Sequence, residues 1–315
     1  MSRGGQRQSF MGGTGEPRRS VPYRVAHRLA DGIVGLSLRL TSCVLILIYF
    51  QVGYYWSYHA QSGPGILDAA LPIDGWIPMV PGFIVFYMLG YLFVLVPCVL
   101  VRDRRAFYAA TVIFCVMLSV AFLLFRYAPI HMDKTYAAGS DWFSRLAHFQ
   151  QTKDTTYNNF PSLHVALNVY AYSLIAWQSR RISWWWLPLP VLIVSSTLLV
   201  KQHLFVDVIG GLLLAWAGFV GFRRLAAVSS RTVFLAWLVS QGLLLIVLAT
   251  HSERLAKTGR KIARFLDAGG IDVGEAAIAV LAALVVAGLT QEIVGRVRGR
   301  RDASWRRDSG GSRDR

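Results

Sequence analysis

The chain has 315 residues, of which 54% are hydrophobic and only 16% charged, with a mean hydropathy of +0.44. A soluble domain is about 25% charged, so the composition excludes most soluble folds and points to a membrane bundle. The formal net charge of +16, from 33 Lys and Arg against 17 Asp and Glu, is compatible with nucleic acid, anionic lipid or membrane topology, and position along the chain decides between them.

A bilayer core requires ~20 mostly apolar residues per helix. Eight stretches qualify as predicted spans: about 33–57, 79–101, 107–127, 163–178, 184–201, 204–222, 233–249 and 275–294. Backbone groups in lipid must be satisfied within the segment, which makes these helices. The period-two alternation of an outer-membrane barrel is absent. The chain accordingly divides into a basic tail (1–32), a membrane domain (33–222), a C-terminal transmembrane hairpin (223–295) and a second basic tail (296–315).

The basic residues follow this frame. Six Arg precede span one, and three lie in Arg102–Arg105. Arg180 and Arg181 follow span four, Arg223, Arg224 and Arg231 follow span six, and eight Arg lie from Arg296 onward. Together they are 22 of the 33 Lys and Arg, all at alternate span ends. The positive-inside rule makes those ends and both termini cytoplasmic. The expected setting is a bacterial inner membrane, with 58–78, 128–162, 201–203 and 250–274 on the periplasmic side. Tyr54, Tyr55, Trp56 and Tyr58 at one interface and Trp184, Trp185 and Trp186 at the other fit aromatic belts.

Five basic residues in 254–264 break the rule. Leu255, Ile262, Phe265 and Leu266 recur there at helical spacing, as in an amphipathic helix lying on the surface. The first thirty residues are too polar, and the following apolar run too long, for a cleavable signal. Residues 1–20 and 300–315 have the composition of disordered tails. Their Arg clusters lack the aromatic interleaving or motif of a nucleic-acid binder, so anionic lipid headgroups are the expected partners and nucleic acid is not. Cys43, Cys98 and Cys115 sit in apolar runs and are expected as buried thiols, without a disulfide or metal cluster.

Ionisable groups at membrane depth are costly and usually functional. Two clusters stand out on the outer side. In one, His203 and Asp207 are four residues apart at the start of span six and share a helix face. A carboxylate there fixes the tautomer of the imidazole and raises its basicity, which suits a base or a nucleophilic nitrogen; a structural pair at a helix end is the plainer reading. In the other, Pro161 can start span four and Ser162 can cap it, which puts His164 in the first turn. The free N–H groups of that helix end favour a bound phosphate. Lys201, Lys134 and Arg126 are nearby cations. Two histidines, an aspartate and cations at one interface describe a phosphoryl-transfer site.

These residues resemble the type 2 phosphatidic acid phosphatase (PAP2) superfamily. Pro161-Ser162-Leu163-His164 matches its Pro-Ser-x-His motif. Ser196-Thr197, five residues, His203, three residues and Asp207 match its Ser-Arg-x5-His-x3-Asp motif in spacing, with Thr197 in place of Arg. The resemblance covers roughly 70–215. Phe160-Pro161-Ser162-Leu163-His164, the Pro-rich segment Leu71–Pro81 and Gly210-Gly211 resemble the inositol-phosphorylceramide-synthase-like branch in particular. Arg126 and Lys134 occupy the region of the family's first motif without its spacing.

The resemblance implies an all-α, PAP2-like helical bundle of six core transmembrane helices, followed here by about two C-terminal helices. It also implies an enzyme that needs no metal or other cofactor. His203 would attack the phosphorus of a lipid phosphate or phospholipid and form a phosphohistidine, with Asp207 orienting it. His164 would protonate the departing oxygen and then activate the acceptor. Ser162, Lys201, Lys134 and Arg126 would hold the phosphoryl oxygens, Lys201 standing in for the missing Arg or simply snorkelling. With water as acceptor the protein is a lipid phosphatase; with a lipid alcohol it is a phosphotransferase. A His164/His203/Asp207 metal hydrolase and a polytopic transporter are the alternatives. Asp141, Lys153 and Asp154 are expected to shape the headgroup pocket, Asn158 and Asn159 to form turns, and Arg39 to snorkel. His27, His59, His131, His148 and His251 are read as solvated.

Overall fold

The computed structural model describes residues 21–58 and 67–250. The predicted span 275–294, the basic stretch 254–264, His59, His251 and the tail regions 1–20 and 296–315 lie outside them. The chain divides into a unit of residues 39–285 and a second of residues 1–38 and 286–315, whose described part is the first half of helix α1.

In chain order the elements are α1 (Val21–Tyr58), β1 (Leu67–Asp68), α2 (Pro72–Trp76), a 3-10 turn (Pro81–Phe83), α3 (Ile84–Phe93), α4 (Val96–Leu100) and α5 (Arg104–Tyr127). They continue with β2 (Ile130–His131), α6 (Trp142–Lys153), α7 (Leu163–Gln178), α8 (Arg180–Trp186), α9 (Pro188–Leu199), α10 (Phe205–Ala227) and α11 (Ser230–Thr250). This is an all-α bundle. Its two-residue strands pair in parallel, Leu67 with Ile130 and Asp68 with His131, and tie the loop before α2 to the loop after α5.

Five segments among the described residues are long and apolar enough to cross a membrane: Gly35–Ser57, Pro81–Leu100, Arg104–Tyr127, Phe205–Ala227 and Ser230–Val247. The predicted spans 79–101 and 184–201 are not continuous helices. The first breaks between α3 and α4 and the second between α8 and α9, each just before a proline, Pro97 or Pro188. Proline lacks the N–H that a helix interior needs, and its ring crowds the carbonyl four residues before it.

Span four is also shorter than a typical crossing. Helix α7 has 16 residues, or about 24 Å against a ~30 Å hydrocarbon core. It packs against α3, α4, α5, α8, α9 and α10, so neighbouring helices, more than lipid, form its surroundings.

Small residues and caps set the close approaches. Asp103 caps α5 by accepting the Ala106 N–H at 2.7 Å. A Cβ on Gly211 would lie 2.7 Å from the Ser162 carbonyl oxygen, and one on Gly210 would lie 2.4 Å from the Phe160 ring. Glycine at both positions lets α10 lie directly against the chain entering α7. Near the other end of the bundle, Arg105 Nε donates to the Ala226 carbonyl at 2.7 Å and ties the start of α5 to the end of α10.

Arg39 does not snorkel freely. Its guanidinium donates to the carbonyls of Cys98 (3.0 Å), Val101 and Arg102 (2.9 Å) at the C-terminal end of α4. Those carbonyls have no helical partner, and a cation there is favourable. The thiols are also placed differently from expectation: Cys43 and Cys98 are free but lie with their sulfurs 2.7 Å apart, and only Cys115 is fully buried.

Candidate active site

The two histidines come from helix starts that the chain brings together. Ser162 caps α7, its Oγ accepting the Val165 N–H at 3.3 Å, and its own N–H donates to the Asp207 carbonyl at 3.0 Å. Helix α10 starts with a similar device. Asp207 Oδ2 accepts the Leu204 N–H at 2.8 Å, and Asp74 on α2 accepts the Phe205 N–H at 2.7 Å. Between α9 and α10 the chain reverses at Lys201, whose φ of 50° is left-handed, a conformation uncommon outside glycine. The Gln202 and His203 N–H groups then both donate to the Thr197 carbonyl.

His203 Nδ1 lies 3.4 Å from Asp207 Oδ2, beyond a well-formed N–H···O hydrogen bond but in the range of catalytic pairs that tighten on binding substrate. Asp207 is wholly buried and His203 is 8% exposed. The His164 ring stacks on Tyr87, with centroids 4.1 Å apart and planes 2° from parallel, and meets Tyr91 edge-on at 5.2 Å. Its Nε2 points at α3, where a Cβ on Gly90 would come within 2.3 Å. His203 Nδ1, Asp207 Oδ1, His164 Nε2 and Asn168 Oδ1 are buried without a hydrogen-bond partner. Orphaned polar atoms are rare inside proteins and concentrate where function requires them.

Two cavities meet at this point. One, of about 270 Å³, is lined mainly by apolar and aromatic side chains of α1, α3, α4, α5 and α7, with His164, His203, Asp154 and Asn158 among its polar residues. The other, of about 440 Å³, is polar and is lined by Lys201, Asp68, Asp74, His131 and Asp133 among others. His203 lines both.

The remaining predicted site residues separate into two sets. Lys201 lines the polar cavity beside His203, and its Nζ donates to the Asp74 carbonyl at 2.8 Å. Ser162 is wholly buried and uses its hydroxyl as the helix cap. Arg126 lines neither cavity: its guanidinium lies over the Trp56 ring at 4.6 Å and donates to the Trp56 carbonyl at 3.2 Å. Lys134 lines neither cavity either, and donates to the Gln151 carbonyl and to Gln202 Oε1, each at 3.3 Å. Burial holds the Lys134 ammonium below its usual pKa, with Asp154 acting the other way. Thr197, at the position of the missing Arg, is buried with its hydroxyl on the Val194 carbonyl. Among the described residues no group of three or more His, Cys, Asp and Glu is arranged to hold a metal ion.

Other expectations also shift. Asp141 caps α6, accepting the Phe143 and Ser144 N–H groups at 3.0 and 3.1 Å, and it lines neither cavity. Asp154 does line the apolar cavity, and it accepts the Tyr54 hydroxyl. Asn158 Nδ2 reaches the Tyr54 carbonyl and Ser57 Oγ, both at 3.1 Å. His131 borders the polar cavity and pairs with Asp133 at 2.9 Å.

Sequence reasoning missed Gln151, which is buried and bonds the Val200 and Thr135 carbonyls and the Ala137 N–H at 2.9–3.0 Å. It fastens the segment 135–137 to the end of α9. It also missed Tyr87, Gly90 and Asn168, which form the slot around His164; a glycine inside an apolar helix run was the available signal.

No curated protein and no solved structure matches the chain. A family model for the PAP2 superfamily matches residues 73–221. The stretch similar to that superfamily is therefore the one that carries His164, Lys201, His203 and Asp207, and α1, a wall of the apolar cavity, lies outside it.

Proposed function

We propose that the protein is an integral-membrane lipid phosphoesterase or phosphotransferase of the PAP2 type that works through a phosphohistidine. One observation carries the reading: two histidines from two helix starts line the same end of an apolar cavity, and one of them has Asp207 behind it and a polar cavity on its other side. The match to the PAP2 superfamily supports lipid phosphatase chemistry in general.

With Nδ1 turned to Asp207, Nε2 is the His203 nitrogen left to attack phosphorus. A bond forms from Nε2 to phosphorus as the P–O bond to the leaving group breaks. Protonated His164 gives its proton to the departing oxygen. Asp207 stabilises the charge that develops on the His203 ring. Lys201 and the N–H groups at the start of α7 offset charge on the phosphoryl oxygens. Neutral His164 then takes a proton from the acceptor, and its oxygen attacks the phosphohistidine and frees His203.

The polar cavity gives that intermediate a face open to water or to a hydroxyl-bearing headgroup. The apolar cavity accommodates the lipid part. This arrangement suits a phosphate placed between an apolar and a polar substituent, which favours a phospholipid donor and transfer to a lipid alcohol over hydrolysis of a simple monoester.

The test supplies purified protein with phosphatidic acid or labelled phosphatidylinositol, with and without ceramide or diacylglycerol. Phosphate release, or a new phospholipid, should be lost in His203→Ala. A transient phosphoprotein stable to base and labile to acid should disappear with it. Unchanged turnover in His203→Ala overturns the site.

A further inference from the structure

The apolar cavity is longer than a phosphoester needs. Its lining on α7 runs from Leu163 to Leu174, and on α1 from Cys43 to Tyr54. Each stretch is about 16 Å at the helical rise. The histidines lie at one end, and Cys98, Val101 and Phe107 lie at the other.

The space lies beside α1, which is fastened at both ends and also along its α5 side, where the Tyr49 and Ser119 hydroxyls lie 2.7 Å apart. At the far end the Arg39 guanidinium bonds the last carbonyls of α4 and lies 4.8 Å over the Phe107 ring. At the histidine end, Tyr54 bonds Asp154, Asn158 bonds Tyr54 and Ser57, and Arg126 bonds Trp56. Val101 and Phe107 are buried at that end, where Arg39 lies over the Phe107 ring and bonds the Val101 carbonyl.

Apolar walls facing a void lose their packing partners, and water is a poor filler for an apolar space. The polar orphans gather at the other end. The occupant that fits is slim, apolar along its length and polar where it meets the histidines.

We propose that this cavity holds one hydrocarbon chain of the phosphate-bearing lipid, and that Val101 and Phe107 at the end away from the histidines set the longest chain accepted. The proposal rests on the phosphoesterase reading and deepens it, since it says where the lipid part of the substrate lies. It also assigns a role to α1, which the superfamily match does not include.

The test uses the full chain in phosphatidylcholine nanodiscs and phosphatidic acid with a diazirine at the end of one acyl chain. After irradiation, label should map to α4 and α5 around Val101 and Phe107. Excess unlabelled phosphatidic acid should remove it, and further phosphatidylcholine should not. Label confined to outward-facing residues such as Val99 and Leu213 overturns the proposal, as does removal by phosphatidylcholine. Labelling needs no turnover, so a protein labelled at the cavity floor that transforms no phospholipid would sink the proposed activity and leave the chain-holding cavity standing.

In the turnover assay, Ala110→Phe and Ala171→Phe fill the cavity partway along. Turnover of a dilauroyl substrate should fall about ten-fold or more, because two buried methylenes already account for that factor. Turnover of the dihexanoyl substrate should stay within about two-fold, since the short chain ends before the block. Equal losses for both substrates, in variants that keep the melting temperature of the parent, overturn the length limit.

Discussion

Gly90 and His164 fit against each other with no room for a methyl group: a Cβ on Gly90 would lie 2.3 Å from His164 Nε2. The imidazole cannot slide away along its plane without leaving the face of Tyr87, on which it stacks at 4.1 Å. Gly90→Ala should therefore displace the ring. The overpacking cost is about 1–3 kcal/mol, and a misplacement of ~1 Å at a catalytic group costs about 10²-fold in rate. The expected result is a folded protein with turnover down by that order; turnover equal to that of the parent would show that His164 has slack.

Asp207→Asn separates charge from packing. The asparagine carbonyl can still accept the Leu204 N–H, so the start of α10 should hold. That same oxygen faces His203 Nδ1, so the tautomer should hold too and only the negative charge behind the ring is lost. Loss of that charge should lower kcat by about 10²- to 10³-fold with little change in melting temperature. A loss of stability as large as that of Asp207→Ala would mean that the carboxylate matters chiefly as a cap.

Lys201 and Arg126 make a contrasting pair of cations. Lys201 borders the polar cavity at His203, whereas Arg126 is engaged with Trp56. Lys201→Ala should reduce kcat/KM by about 10- to 100-fold, the scale of a lost charge on the phosphoryl group. Arg126→Ala should lower the melting temperature, because it releases one end of α1, and should leave kcat/KM with a short-chain substrate within about three-fold, since rim-type cation contacts are weak. Reversed effects would restore Arg126 as a phosphate ligand.

Lys134 is a source of pH dependence. Burial lowers its folded-state pKa from the usual 10.5, so near and below that value the unfolded chain binds more protons than the folded one. Stability then rises with pH toward 10.5 and falls as pH drops through the lowered value. Lys134→Met should remove that slope. Melting curves across this alkaline range should diverge between parent and variant as pH falls; parallel curves would contradict the shift.

His164, His203 and Asp207 were legible because their chemistry is local: a proline and serine that start one helix, and an i, i+4 pair that starts another. Ser162 was legible as a cap for the same reason. Arg126 and Lys134 read as phosphate ligands from their side of the bundle and their place in the region of the family's first motif, but the direction of a long side chain depends on neighbours distant in sequence. Trp56 and Gln151 are such neighbours. The breaks at Pro97 and Pro188 were visible as prolines, but the runs around them are apolar enough to read as single spans. The two cavities were not legible at all, because one is a space between helices and the other a space among loops, and no residue encodes a space.

The shortness of α7 has a consequence for the site. A helix wrapped on all sides by other helices has no bilayer of its own to match. Thinning or thickening of the membrane acts on α1, α5, α10 and α11, which can tilt in response. The helix that carries His164 sits inside that shell like an axle within a wheel, and the position of its first turn is set by protein contacts. Of the proposed site, the turn with His164 is thus held by its neighbours, whereas the α10 turn with Asp207 is the part that a change in bilayer thickness would reach.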